Sequence, residues 1–471
     1  MAIFPSQQCN NILIIPYPSQ GHMIALLDLV HRLCTLFNLT ITILVTHKNL
    51  PALTPLLQLH PTLKTLILPF PSNPADIPSG IENSKDLPPH SSPTVMMDAL
   101  WSFYQPLLSW FRSHPSPPST ILSDFFLGWT QRLASEVGAR RIVFSPSGAL
   151  GISLIFSLWK NMPEPDEDLT VEFCFDNIPK CPKYPWWQIS PMYRSYKHSD
   201  PGSERLNDGF KGNLESWGIV VNTFEEMEGM YLDSLKKLLG HDRVWAVGPL
   251  ILGRAAGSSN QALDTNLANF LNTCDVDSVI YVAFGSQAVL RNDQMEALAA
   301  GLEKSGVRFI WSIKVSTQGH LDDGYATVPE GFETRVAGRG VVVRGWAPQT
   351  EILSHRAVGA FLTHCGWNSV TESIIAGVPM LTWPMGADQF ADATLVVDDL
   401  KVGVRVCEGS SSVPNPDELS RALRDSVTCR SWSGYRERIS KLKEMALRAV
   451  KDDGGSSARD LNEFVMRVFE K

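Results

Sequence analysis

Apolar positions fall along this chain in short dense runs, separated by stretches in which they recur at helical spacing. Residues 11–16 form an Ile-rich run. A turn follows, then an amphipathic pattern over about residues 23–36, then the β-branched run 40–45. This strand–helix–strand order predicts a parallel sheet covered on both faces. Further strands are predicted at 65–68, 120–123, 141–144 and 218–222, with 245–249 closing the first half.

Between about 162 and 201 the pattern breaks down. Pro, Trp and acidic residues are dense there, as in Pro185-Trp186-Trp187, so loops and short helices are expected over the first half. Residues 253–264 are rich in Gly, Ser, Ala and Asn and read as an exposed linker. The alternation then restarts. Strands are predicted at 279–284, 308–313, 340–344, 358–363, 380–382 and 403–406. Helices are predicted at 293–305, 349–354, from about 369, and from 416 to the end. Two such α/β halves imply a cleft, with ligands beyond the carboxyl ends of the strands.

Composition narrows the classes. A chain of 471 residues implies two domains or three. The formal net charge of -8 carries no electrostatic footprint for nucleic acid or an anionic membrane. No apolar run approaches the roughly 20 residues that span a bilayer. The eight cysteines are scattered, without a CxxC pair or a secretory signal, so reduced thiols and a cytoplasmic location are expected. The 13 Trp suit pockets for flat aromatic ligands.

The strongest local signal is His364-Cys365-Gly366-Trp367-Asn368-Ser369, between a predicted strand and a predicted helix. A helix N-terminus offers free N–H groups and the positive end of its dipole, which suits phosphate. Gly366 would admit close backbone approach, and Gly285-Ser286 follows the first strand of the same half. The plainer reading is an ordinary N-cap, a common use of Asn and Ser. Flanking residues decide between them: Trp346-Ala347-Pro348-Gln349 lies upstream, and Glu372 and Asp388-Gln389 downstream. Over all of 346–389 the chain resembles the signature box of plant secondary-metabolite UDP-glycosyltransferases of family 1. The N-terminal Pro-Ser-Gln-Gly-His and the overall length extend the resemblance to the whole chain.

The resemblance implies a GT-B fold, two Rossmann-like domains facing across a cleft. The expected boundaries are 1–248 for the acceptor domain, 249–275 for a linker and 276–455 for the UDP-sugar domain. A helix at 456–471 should return to the first domain. By the same resemblance, Trp346 stacks on uracil, Ala347 binds it through backbone groups, and Glu372 takes the ribose hydroxyls with Gln349 nearby. Ser286, His364, Asn368 and Ser369 hold the diphosphate, while Trp367, Asp388 and Gln389 meet the sugar. Carboxylates and amides suit vicinal hydroxyls, and donors suit phosphate oxygens.

The turn after the first strand reads Pro16-Tyr17-Pro18-Ser19-Gln20-Gly21-His22. A neutral His there can accept a proton from an attacking hydroxyl, and a carboxylate partner would fix its tautomer. Asp124, at the end of the strand 120–123, is the best-placed partner. A lone His is more often a capping or buried structural residue. The resemblance instead implies that His22 is the general base and that Asp124 supports it. Relatives often carry Pro three residues after this His, where this chain has Ala25.

The expected reaction is therefore a single inverting displacement, with no cofactor or metal beyond the UDP-sugar co-substrate. Asp166-Glu167-Asp168 and Asp275-Val276-Asp277 have spacings that can hold a divalent cation, but they read as solvated acids. Gln389 resembles glucosyl-transferring relatives, where galactosyl ones often have His, so UDP-glucose leads and UDP-xylose and UDP-rhamnose stay open. The expected acceptor is a small phenolic such as a flavonoid or hydroxybenzoate, and the protein is expected to be a monomer. Its wall could draw on Met96, Met97, Trp101, Tyr104, Phe125, Phe126, Trp186, Trp187 and Tyr193, each equally explained as core. A non-catalytic UDP-sugar sensor remains the alternative of another class. A nicotinamide dehydrogenase lacks its Gly-rich fingerprint here, and a serine hydrolase its Gly-x-Ser-x-Gly elbow.

Overall fold

The first strand shows how the sheets are built. In β1 (Asn11–Ile15), Leu13 and Ile15 enter one apolar cluster while Ile12 and Ile14 enter another, so both faces are buried. The computed structural model describes residues 10–71, 77–88, 91, 94–250, 263–314 and 324–470. β1 is joined in one sheet by β2 (Thr40–Val45), β3 (Lys64–Ile67), β4 (Thr120–Asp124), β5 (Arg140–Ser145), β8 (Gly218–Val221) and β9 (Val244–Ala246). The strand order is β3-β2-β1-β4-β5-β8-β9 and every pair is parallel.

The second sheet repeats the plan with β10 (Val279–Ala283), β11 (Arg308–Ile313), β12 (Gly340–Arg344), β13 (Val358–Thr363), β14 (Met380–Thr382) and β15 (Gly403–Arg405). Its order is β12-β11-β10-β13-β14-β15, again all parallel. In both sheets the order reverses beside the first strand of the half, between β1 and β4 and between β10 and β13. Parallel sheets open a crevice at such switch points.

Several stretches differ from the sequence expectation or go beyond it. The excursion after residue 162 contains a small antiparallel hairpin, β6 (Glu172–Cys174) with β7 (Lys183–Pro185), which its Pro and Trp content hid. The helix Ala149–Asn161 was not foreseen, because it is apolar almost all round and so lacks a helical period. The Gly253–Asp264 stretch lies outside the described residues except for Leu263 and Asp264. Within the expected 249–275 linker, Thr265–Asn272 is helical, with Leu267 and Leu271 buried four residues apart. Eight of the 13 Trp are buried, so most of them serve the core.

The last helix, Ser456–Phe469, packs on β9. Leu461, Phe464, Val465 and Val468 join the cluster of Ile12 and Ile14. Asp460 accepts from the Ala246 N–H at 2.7 Å. The Arg140 guanidinium donates to the carbonyls of Arg467, Val468 and Glu470 at 2.9, 2.7 and 3.1 Å, a cation against a helix C-terminus. Arg140→Ala is expected to cost about 1–3 kcal/mol and to expose the final helix to limited proteolysis. Unchanged urea unfolding and proteolysis would mean that apolar packing alone holds it.

Candidate active site

Because β1 and β4 are parallel neighbours, with Ile15 opposite Ser123, the segments leaving their carboxyl ends emerge side by side. The helix Gln20–Leu36 presents His22 in its first turn, and Asp124 ends β4. His22 Nδ1 lies 2.8 Å from Asp124 Oδ2, with His22 19 % exposed and Asp124 fully buried. Nδ1–H donates to the carboxylate, the tautomer that in a neutral ring leaves the lone pair on Nε2. The other Asp124 oxygen accepts from the Phe126 N–H at 2.9 Å, which holds the carboxylate still. Phe125 and Phe126 stack on the imidazole at 5.7 and 4.9 Å, and Tyr17 closes another side at 5.2 Å.

Arg141 stands behind this pair, fully buried in β5, and was not foreseen. Its guanidinium donates to Ser123 Oγ at 3.1 Å and to Asn213 Oδ1 at 2.8 Å. Burial lowers its pKa to about 9, against the pull of the Asp124 charge, so it stays cationic at neutral pH. An Arg at the head of an apolar buried strand was the available signal.

The second half uses the same geometry. Ala283 pairs with Thr363, so the turns after β10 and β13 meet. A Cβ on Gly285 or Gly366 would fall 2.5 or 2.6 Å from His364 Nε2, so both glycines leave room for that ring. Gly285 also has a left-handed φ of +74°. Burial lowers the His364 pKa to about 4, so the ring is neutral near pH 7 and holds a single N–H. The helix Trp367–Ala376 starts there, and among the described residues no side chain caps it. The ordinary N-cap is thus not what Asn368 and Ser369 provide, and the first-turn N–H groups stay available.

Gln349 donates to Ser369 Oγ at 3.0 Å and to Glu372 Oε2 at 2.5 Å, which gathers three of the predicted residues. Glu372 is buried, whereas Trp346 is 48 % exposed at the rim, with Ala347 half-buried beside it. The Gln389 carbonyl accepts from the Met385 and Gly386 N–H groups at 2.9 and 3.1 Å, so its NH2 is the end left to donate. Cys365 and Ala387, in the two loops of this site, have left-handed φ of +64° and +54°. Such a conformation costs a non-glycine residue about 1–3 kcal/mol.

The halves touch at the site itself. Asn368 donates to the Gly21 carbonyl at 3.0 Å, and Gln287 donates to Ser19 Oγ at 3.0 Å. Ser147 donates to the Asp388 carboxylate. Burial raises the Asp388 pKa, against the pull of the Ser147 bond. The Trp367 indole is buried and donates to the Asn222 carbonyl at 2.6 Å. Ser286 is half-buried beside Gly285.

The foreseen acceptor wall is mostly core: Met96, Met97, Tyr104, Trp186 and Tyr193 are buried. Trp187 packs edge-on against Phe390 of the second half at 5.3 Å, and Trp101 lies half-buried 6.4 Å from Trp129. A small apolar cleft beside the His22 loop is lined instead by Pro16, Pro18, Met23, Leu100, Phe103 and Trp129, among others. No group of three His, Cys, Asp or Glu that could hold a metal occurs among the described residues. Asp166 to Asp168 lie exposed in a loop, and Asp277 lies 3.7 Å from Arg436.

A family model described as "UDP-glucoronosyl and UDP-glucosyl transferase" matches residues 251–443. The sequence is 54 % identical to UDP-glycosyltransferase 89B2 of Stevia rebaudiana over 97 % of both chains. It is 52 % identical to flavonol 3-O-glucosyltransferase UGT89B1 of Arabidopsis thaliana over 98 % of this chain and 96 % of that one. The chain belongs to the plant family 1 UDP-glycosyltransferases. Among solved structures, Arabidopsis thaliana UGT89C1 complexed with UDP-L-rhamnose aligns at a TM-score of 0.80 and 37 % identity, covering 98 % of this chain and 100 % of that one. Its complex with quercetin aligns at 0.78 and 38 %, with the same coverage. The enzyme accordingly has the GT-B fold, two Rossmann-like domains with a UDP-sugar as co-substrate.

The neutral state of His364 has a consequence for pH. Its folded pKa is depressed from 6.5 to about 4, so the unfolded chain binds this proton first. The site therefore withdraws stability as pH falls from about 6.5 toward 4 and costs nothing above. His364→Asn is expected to flatten that part of the stability profile of the ligand-free enzyme, measured by denaturant unfolding between pH 7 and 5. A variant profile parallel to the wild type would contradict the assignment.

Proposed function

We propose that the enzyme transfers glucose from UDP-glucose to a hydroxyl of a small phenolic acceptor of flavonoid type, with inversion at the anomeric carbon. The observation that carries this reading is the 2.8 Å His22–Asp124 pair, next to the seam where Asn368 of the second domain donates to the Gly21 carbonyl. His22 Nε2 takes the acceptor proton as the acceptor oxygen bonds to the anomeric carbon, the bond to the diphosphate oxygen breaks, and UDP departs. Asp124 stabilises the imidazolium that forms. The uncapped helix at Trp367, with Ser286, His364, Asn368 and Ser369, stabilises the leaving diphosphate in the manner of an oxyanion hole. The exposed face of Trp346 stacks on uracil above Ala347, and Glu372 with Gln349 takes the ribose. Asp388 and the NH2 of Gln389 meet the sugar.

Glucose is supported by Gln389 and by the relative named as a flavonol glucosyltransferase. UDP-rhamnose is the second donor reading, because the neighbour UGT89C1 was crystallised with it. The flavonoid acceptor is supported by that relative's name and by the quercetin complex. The seven described cysteines are free, in keeping with a reducing cytoplasm. No described helix is long and apolar enough to cross a membrane.

Incubation with UDP-glucose, UDP-rhamnose or UDP-xylose and a panel of phenolics, read by mass spectrometry, is expected to give a glucoside first. UDP binding without any sugar adduct would favour a non-catalytic UDP-sugar sensor. His22→Ala is expected to keep UDP affinity while turnover falls by about 10²–10⁴-fold, and near-normal turnover would refute the assigned base. The rate is expected to survive EDTA. Loss that manganese restores would bring a metal into the mechanism.

A further inference from the structure

Trp367 opens the helix whose N-terminus is read above as the diphosphate site, yet its side chain belongs to the seam between the domains. Its ring is 4 % exposed. Its Nε1–H donates to the Asn222 carbonyl, 145 residues away in the first domain, at 2.6 Å. A Cβ on Gly148 would overlap the far edge of the indole and would fall 2.7 Å from Glu228 Oε2, so the glycine leaves a slot with room for both. That turn is pinned from below. Glu228 is fully buried and accepts from the Ala149 and Leu150 N–H groups at 2.9 and 2.8 Å and from Thr223 Oγ1 at 2.6 Å. One residue before the slot, Ser147 donates to Asp388.

We infer that Trp367 is a positioning residue rather than a sugar ligand. The Ser147–Gly148 turn and the Asn222 carbonyl form its seat on the acceptor domain. Seating the indole sets where the first-turn N–H groups of the Trp367–Ala376 helix lie relative to His22, and Ser147 orients Asp388 in the same step. An indole fits this task because its apolar body fills the slot and its single N–H reads one carbonyl. The proposal rests on the diphosphate reading of this helix.

The test is a cycle of Gly148→Ala, Trp367→Ala and the double variant, with Trp367→Phe beside it. Circular dichroism serves as the folding control. Trp367→Phe keeps most of the ring and loses the donor. It is expected to weaken UDP binding, measured by calorimetry, about three- to tenfold and to raise the radius of gyration of the ligand-free enzyme. Gly148→Ala is expected to do the same, and to add less to Trp367→Ala than to the wild type, since only its clash with Glu228 then remains. A rise in KM for UDP-glucose alone, with UDP affinity and scattering unchanged in Trp367→Phe, would overturn the proposal and return the indole to the sugar. Additive effects of Gly148→Ala and Trp367→Ala would also overturn it. If Gly148→Ala does not fold, Trp367→Phe decides alone. If the wild type binds no UDP, the functional reading fails, while scattering of the ligand-free variants still decides the seat.

Discussion

Parallel pairing at two switch points is the constraint on which the rest of this enzyme depends. β1 lies beside β4, and β10 beside β13, each pair in register at the carboxyl end. Chains that reverse direction in the winding of a sheet must leave adjacent strands on opposite faces, and a crevice opens between them. His22 and Asp124 meet at the first crevice, and Gly285 and His364 at the second. Hydrogen bonding of the sheet backbone thus sets the geometry of the side chains, before any of those side chains bond to each other.

The second requirement is that the two crevices face one another. Four bonds across the seam lie at the site rather than remote from it: Asn368 to Gly21, Gln287 to Ser19, Ser147 to Asp388 and Trp367 to Asn222. One apolar cluster also runs from Leu13 and Ile15 of the first domain to Tyr281 and Phe361 of the second. A helix N-terminus and an imidazole contributed by different domains can act on one substrate only if this seam is closed.

Charge is handled differently in the two domains. The first buries a carboxylate, Asp124, beside His22 and supports it with the Phe126 N–H and the buried Arg141. Such a partner is worth burying because a donor and a nearby cation replace much of the water it loses. The second domain avoids buried charge beside its helix N-terminus by keeping His364 neutral, so that the dipole and the N–H groups supply the positive field.

How much of this was legible beforehand depends on how local each feature is. The strands of both sheets, the box from Trp346 to Gln389 and the His22 turn could be read because period, β-branching and motif spacing are properties of adjacent residues. Ala149–Asn161 escaped because a helix buried on all sides has no polar face to mark its period. Ser147, Gly148, Asn222 and Arg141 escaped because nothing in their own neighbourhoods names their partners. By itself the sequence determined the fold, the family and which residue types are present for UDP-sugar chemistry. Only the tertiary structure decided that His22 reaches Asp124, that the Trp367 ring is spent on the domain seam, and that the foreseen aromatic wall is largely core. Those outcomes turn on contacts between segments 100 to 350 residues apart, as at His22–Asp124 and Asn368–Gly21, and packing of the whole chain sets them rather than local pattern.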